Sequence, residues 1–501
     1  MDNDASFVVT LWPLVLAAPM LGAVASFVWP RRGRLVGLVA LIVAAFGALD
    51  LVRIVQLDGE MNHLVGGWEA PLGIRLFADG LSALMVLMTA LVGTGISVYA
   101  PAYFGTTGAA GRHQERYFWP LWLFLVTGLM ALFLTADLFN AYVAIELISF
   151  SSVALVALAD QRESLVAAIR YLLVGLLGSL SYLLGVALLY GAHGTVDRAL
   201  LAETMNGGGI DQFAIVVMLG GLLLKGAIFP LHFWLPPAHS TAPAPASAAL
   251  SALVVKGAFY LILRLWFELA EGWISSRIAF ALGAMGCGAV VWGCVQALRQ
   301  ARLKLLVAYS TVAQLGYLFL LFPLMAAGAG PGAWAGGIYF AISHAFAKTA
   351  IFMAAGNVMH AAGHDRLKDL VGVAQVMPVT FLALALAGLN AVGLPPSGAF
   401  IGKWLLLTHS LESRQWALVI VIGFGGLMAA GYTVRILNLA LLRPHQTGAG
   451  QHFHRLPAVM EWTPLVLALV SLILGLVVKL PMQVLEEGAP FGIERLAEGK
   501  P

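Results

Sequence analysis

Cysteine is nearly absent: Cys287 and Cys294 are the only two in 501 residues. They lie seven apart on one apolar run, a spacing at which a single helix cannot join them in a disulfide, so a disulfide scaffold is excluded. Both read as packing residues. Charge is scarce as well, at 11% of residues against 60% apolar, where soluble domains carry about 25% charge. The chain also lacks a glycine-rich phosphate loop, a paired CxxC and a haem motif, so nucleotide or redox chemistry would have to sit on a partner chain. No cofactor or metal is expected. Ten-residue segments of alternating polarity are missing too, which removes a membrane β-barrel.

Long apolar runs are what the sequence has. They fall near 8–28, 35–56, 78–100, 118–136, 138–159, 165–191, 213–235, 242–267, 278–298, 303–325, 333–359, 377–407, 415–441 and 462–482. Runs of about 20 residues cross a hydrocarbon core of roughly 30 Å as helices. The expected fold is therefore an all-α polytopic membrane protein of about fourteen helices. Arg31, Arg32, Arg34, Arg112, Arg116, Arg162, Arg299, Arg302, Arg366, Lys368, Arg443 and Arg455 fall in connections of one parity. Asp58, Glu60, Glu69, Asp197, Glu203, Asp211 and Glu271 fall in the others. The positive-inside rule makes the basic connections cytoplasmic and puts both chain ends outside. The opening MDNDASF has no basic run, so no removable leader is expected.

A lysine or glutamate at mid-helix costs at least about 2.5 to 3.5 kcal/mol on insertion scales, so its retention calls for a role. Five such charges stand out: Glu146, Lys225, Lys256, Lys348 and Lys403. One reading is structural ion pairs that lock helices together. The other is a proton relay. Burial disfavours the charged form of either group and apposition restores it, so a Glu146–Lys225 pair that can separate would act as a switch. Ser310, Gln314 and Tyr317 share a helix face, as do His344 and Lys348. His232, His239 and His344 are candidate relay or merely structural histidines, and Asp137 is equally a helix N-cap.

Pro230 follows Lys225, and Pro395 and Pro396 precede Lys403. Proline removes a ladder hydrogen bond and frees carbonyls inside the membrane. Broken helices at matching places are the pointer to an inverted repeat with ion sites near the midplane. The seventh and twelfth helices match, which gives two five-helix units, helices 4–8 and 9–13. The expected division is 1–117, 118–268, 269–441 and 442–501.

The segments FLTADLFNAYVAIELISFSSVALVAL, LLLKGAIFPLHFWLPPAHSTAPAPASAALSALVVKGAFYLILR, RLKLLVAYSTVAQLGY, SHAFAKTAIFMAAGNVMH and GLPPSGAFIGKW resemble the antiporter-like subunits shared by Mrp-type cation/proton antiporters, respiratory complex I and membrane-bound hydrogenases. The lead-in GGWEAPLGIRLFADGLSALMVLMTALVG and DLFNAYVAIE are most similar to the D-type component of the Mrp antiporter. The resemblance implies that Glu146 is the fifth-helix glutamate paired with Lys225 of the seventh. Lys256 becomes the central eighth-helix lysine and Lys403 the twelfth-helix terminal station. Lys304, His344 and Lys348 match polar motifs of the tenth and eleventh helices, and His232 and His239 the histidines of the broken seventh and of the eighth. It further implies a proton-translocating subunit of a multi-subunit sodium/proton antiporter in a bacterial cell membrane, with other membrane subunits as partners and no nucleic acid. The same residues would serve a redox-driven complex I-like enzyme or hydrogenase. A solute transporter or scaffold is the remaining class, disfavoured because isolated lysines make no solute cavity.

Overall fold

The computed structural model describes residues 10–270, 272–442 and 454–488. Glu271 and Arg443 lie outside these residues, as do the first two positions of the first expected span. The chain is a bundle of helices, of which ten are long and apolar enough to cross a membrane among the described residues.

In chain order the helices are α1 (Leu14–Val28), α2 (Gly33–Asp58), α3 (Gly80–Gly105), α4 (Gly108–Leu134), α5 (Leu138–Ala157) and α6 (Arg162–His193). The short α7 (Arg198–Thr204) leads to α8 (Gly209–Lys225), α9 (Leu235–Thr241) and α10 (Ala244–Ala270). Then come α11 (Ser276–Arg299), α12 (Leu303–Ala326), α13 (Pro331–Ala362), α14 (Pro378–Val392) and α15 (Gly398–Glu412). Last are α16 (Trp416–Leu441), α17 (Ala458–Ile473) and α18 (Lys479–Glu486).

Local chemistry sets the boundaries. Asp79, Asp137, Asp197, Ser275 and Ser397 each accept a backbone N–H at the first turn of the helix that follows, satisfying donors that have no intrahelical partner. Gly194, Gly363 and Gly393 end α6, α13 and α14 at positive φ, where a side chain would be strained.

Both expected helix breaks are present. The seventh apolar run is helical to Lys225, turns through Gly226–Pro230 and resumes as α9. The twelfth is interrupted between Val392 and Gly398. Two expectations need correction. The fourth helix starts at Gly108 rather than 118, because the polar stretch Gly108–Tyr117 continues the helix beyond its apolar part. The last run, 462–482, is two helices, α17 and α18, separated around Gly475. Composition also gave no sign of a small hairpin between α2 and α3, where β1 (Met61–Leu64) pairs antiparallel with β2 (Arg75–Ala78).

The connections collect on two faces. A cavity of about 470 Å³ joins Gln114, Gln161, Pro243, Lys304 and His360, all beside the basic connections. A second, of about 250 Å³, joins Glu60, Asp79, Arg264, Glu268 and Gly488. Pro243 and Glu268 flank opposite ends of the 27-residue α10, which at 1.5 Å per residue puts the two cavities roughly 40 Å apart.

Candidate functional site

The core between those faces is closely packed, and the buried lysines stand in it. Lys256, Lys304, Lys348 and Lys403 are 0%, 1%, 1% and 6% exposed, with His239 at 0% and His344 at 4%. Among the described residues none of these lysines forms an ion pair within 4.0 Å of a carboxylate. Their ammonium groups rest on neutral acceptors instead.

Lys225, half-buried at the end of α8, donates to Ser149 Oγ at 2.6 Å. The expected contact with Glu146 is therefore indirect. Ser149 lies three residues along α5 from Glu146, whose buried Oε1 has no hydrogen-bond partner among the described residues. The helix crossing explains the geometry: α6 and α8 approach so closely that a Cβ built on Gly178 would fall 2.9 Å from Lys225 Cγ and 2.8 Å from the Gly221 carbonyl. Small residues at such crossings let backbones meet. Gly178→Val is accordingly expected to force α6 and α8 apart and displace the Lys225 side chain, an overpacking cost of about 1 to 3 kcal/mol that a lowered thermal midpoint of the purified protein would report. An unchanged midpoint would show that this crossing has room to spare.

Lys256 donates to the Ser251 carbonyl at 2.8 Å and shares a 2.7 Å hydrogen bond with His344 Nδ1. The α-helical ladder widens to a π-turn over Leu250–Val254 just before this lysine, an irregularity often found at functional sites. One turn past His344, Lys348 donates to Ser310 Oγ at 2.7 Å and to the Val307 carbonyl at 3.2 Å. From there contacts run without interruption: Ser310 Oγ donates to Tyr432 Oη at 3.1 Å, and Gln314 Nε2 reaches both Tyr432 Oη and the Ala391 carbonyl. Lys403 donates to Ala391 and Val392 at 3.0 and 3.1 Å. These are the last carbonyls of α14, freed by the break and lying at the negative end of its dipole. The face of the Tyr317 ring lies 4.4 Å from Lys403 Nζ, a cation–π contact. Ser310, Gln314 and Tyr317 thus sit along one line of contacts with Lys348 and Lys403.

The remaining candidates divide. Lys304 donates to the Ala242 carbonyl at 2.6 Å beside the basic-face cavity. Among the described residues, His239 stacks on Phe352 with neither ring nitrogen hydrogen-bonded, and His232 packs against Phe229 with Nδ1 likewise unpartnered. Among the described residues neither is hydrogen-bonded to Lys256. Asp137 caps α5 through Asn140 N at 2.5 Å, a structural duty. Cys294 is buried with its Sγ 3.8 Å from the Gly425 carbonyl.

Sequence reasoning passed over a second polar set. On α10, Lys256, Tyr260, Arg264 and Glu268 recur at every fourth residue, one helix face. Arg264 makes a two-pronged pair with Asp79, both distances 2.6 Å, and a 2.8 Å bond to Glu268. Glu268 also accepts from Arg198 at 2.6 Å. The i+4 spacing was the signal available.

The broken helices and the buried lysines that meet no carboxylate among the described residues define a helical membrane protein with a polar line through its core. Residues 135–429 match the family described as NADH:quinone oxidoreductase/Mrp antiporter, transmembrane, and the chain belongs to that family. The N-type NADH-quinone oxidoreductase subunit of Desulforudis audaxviator is 35% identical over 87% of this chain and 89% of its own length. The D-type Na(+)/H(+) antiporter subunit of Bacillus subtilis is 28% identical over 92% and 93%. In fold, a chain of the Mrp complex from a Dietzia species superposes with a TM-score of 0.84 over 96% of this chain and 98% of that one, at 24% identity.

Proposed function

We propose that this chain is the proton-translocating subunit of a multi-subunit sodium/proton antiporter of the bacterial cell membrane, of the Mrp D type. The observation that carries the reading is the row of buried lysines held only by hydroxyl, imidazole and carbonyl groups. A lysine kept for structure would face a carboxylate, since an unpaired buried charge is strongly destabilising; one that must take up and release a proton is better served by neutral partners. Glu146, beside Ser149, would modulate Lys225 from one turn away.

Two inverted five-helix units, helices 4–8 and 9–13 of the sequence count, complete the proposal. Beyond the paired breaks, isolated bridges support the repeat: Asp137 pairs with Asp197 across the α5–α6 hairpin, and Arg302 with Arg366 across α12–α13. Each joins the residue or so before the first helix to the strand-like turn after the second. The basic face would be cytoplasmic and both chain ends external.

A redox-driven enzyme is the second reading, favoured by the 35% identity to a quinone oxidoreductase subunit. Vesicles from sodium-sensitive cells carrying the whole operon separate the two. A sodium pulse given without any electron donor should move protons in the antiporter, and Lys225→Ala or Glu146→Ala in this chain should reduce that response by an order of magnitude or more. Proton movement only on addition of an electron donor would transfer the chain to the second class. Normal exchange in both variants would refute the relay.

A further inference from the structure

The relay needs an opening on the face opposite the basic connections, and the polar stripe of α10 leads to one. Lys256 points toward the N-terminal half of its helix, onto the Ser251 carbonyl. One turn the other way stands Tyr260, 1% exposed, whose hydroxyl lies 3.0 Å from Ser82 Oγ and donates to the Phe133 carbonyl at 2.8 Å. Ser82 Oγ in turn accepts from Arg264 at 2.8 Å, and its backbone N–H is held by Asp79 Oδ1 at 2.8 Å. Asp79, Arg264 and Glu268 then line the cavity of about 250 Å³, whose rim carries Glu60. Proton-bearing groups therefore stand in steps from one helical turn beyond Lys256 to a solvent-sized space, with Arg264 bridging Ser82 Oγ and the Asp79 carboxylate.

Three further features mark this as more than an acidic cluster. Arg264, only 6% exposed, keeps a buried Nε with no hydrogen-bond partner among the described residues. A second π-turn spans Leu265–Ala270, immediately after Arg264, so α10 is irregular on both sides of the Lys256–Arg264 stretch. Finally, Glu60 stands in the cavity mouth, where burial followed by the nearby Asp79 charge pushes its carboxyl up, toward a group that can hold a proton.

We propose that this cavity is the port through which the relay exchanges protons with the outer aqueous phase, with the Asp79–Arg264 pair as its gate and Tyr260–Ser82 as the link to Lys256. The inference rests on the relay reading above. In the outward step, Lys256 swings from Ser251 toward Tyr260 and gives up one proton. Tyr260, whose hydroxyl donates to the Phe133 carbonyl at rest, turns that proton to Ser82 as it receives the new one, and the Ser82 hydroxyl then turns to hand its own proton to the Asp79 carboxylate. Asp79, momentarily neutral, loosens its hold on Arg264 and delivers the proton to the cavity; no group gains or loses charge over the full passage except the lysine.

The test uses the assembled complex in vesicles that expose the arginine-poor face, with Cys287 and Cys294 replaced by serine. A Phe77→Cys variant, in the cavity wall but outside the proton path, is labelled with a bulky, membrane-impermeant methanethiosulfonate, and labelling is counted by mass spectrometry. Proton flux is expected to fall about tenfold or more, the order seen when a proton-transfer group is lost, and to return on reduction. Leu72→Cys, on the same face but outside the cavity, should label without loss. Full labelling with undiminished flux overturns it. Tyr260→Phe and Asp79→Asn give the independent arm, each expected to slow flux at unchanged complex yield. If these two run normally while Lys225→Ala is inactive, the relay stands and the port falls; if Lys225→Ala also runs normally, the relay itself has failed.

Discussion

Replacing Lys256 with methionine is expected to abolish proton transport by the assembled complex while leaving the amount of complex almost unchanged. Methionine keeps the length and apolar stem of the lysine, so the fully buried site is neither emptied nor overfilled. What disappears is the ammonium. Its two partners, the Ser251 carbonyl and His344 Nδ1, are neutral, so the substitution strands no charge. The cost is two weakly satisfied acceptors, about 1 to 3 kcal/mol, offset by no longer desolvating a cation. Activity should respond differently, because on the relay proposed above the substitution removes a proton carrier, a loss of about 10²- to 10⁴-fold. The check is proton flux alongside complex yield from the same preparation. Transport near the parental rate would show that Lys256 is a structural cation and that the relay bypasses α10.

This contrast also shows what could be read from the sequence. Apolar length located the helices, since only helices and closed barrels satisfy backbone groups in hydrocarbon and the alternating segments of a barrel are missing, and proline located both breaks. That Lys256, Lys348 and Lys403 are buried and Lys225 half-buried followed from their apolar flanks. Their partners did not. Lys225 meets Ser149 rather than Glu146, because one helix turn and the closeness of the Gly178–Gly221 crossing decide which α5 side chain an ammonium reaches, and hydropathy carries neither. The hairpin at Met61–Leu64 and Arg75–Ala78 was hidden in a connection too polar to register as a span. The stripe Lys256, Tyr260, Arg264, Glu268 was visible at its four-residue spacing, but Arg264 and Glu268 resemble loop charges until Asp79 is brought to them from 185 residues away in sequence.

That long-range pair supports the second large effect. Arg264→Met is expected to destabilise the protein by about 3 to 5 kcal/mol, the range for breaking a buried ion pair by removing one partner. Asp79 is 1% exposed, and without the guanidinium its carboxylate keeps, among the described residues, only the hydrogen bond from the Ser82 amide at 2.8 Å. Asp79→Asn should be milder, because Arg264 still holds Glu268 and an amide oxygen can still cap α3. The double variant should be more stable than Arg264→Met alone, a positive coupling that isolates the pair. The dependence on pH adds a sign. In the parent, burial opposes ionisation of Asp79, but the charge and hydrogen bonds of Arg264 outweigh it and hold the carboxyl below its ordinary value. Its contribution is therefore intact above the unfolded value of about 3.9 and is lost as pH falls through the lower folded one. Removing Arg264 leaves burial in control, which raises the carboxyl and makes the protonated form the better tolerated one. Thermal midpoints of the purified complex in detergent should therefore show a deficit in Arg264→Met that narrows as pH is lowered from 8 to 5. A deficit that stays constant over this range would mean that the loss comes from packing around Phe77 and Tyr260, the rings that Arg264 covers, and that Asp79 is no stranded charge.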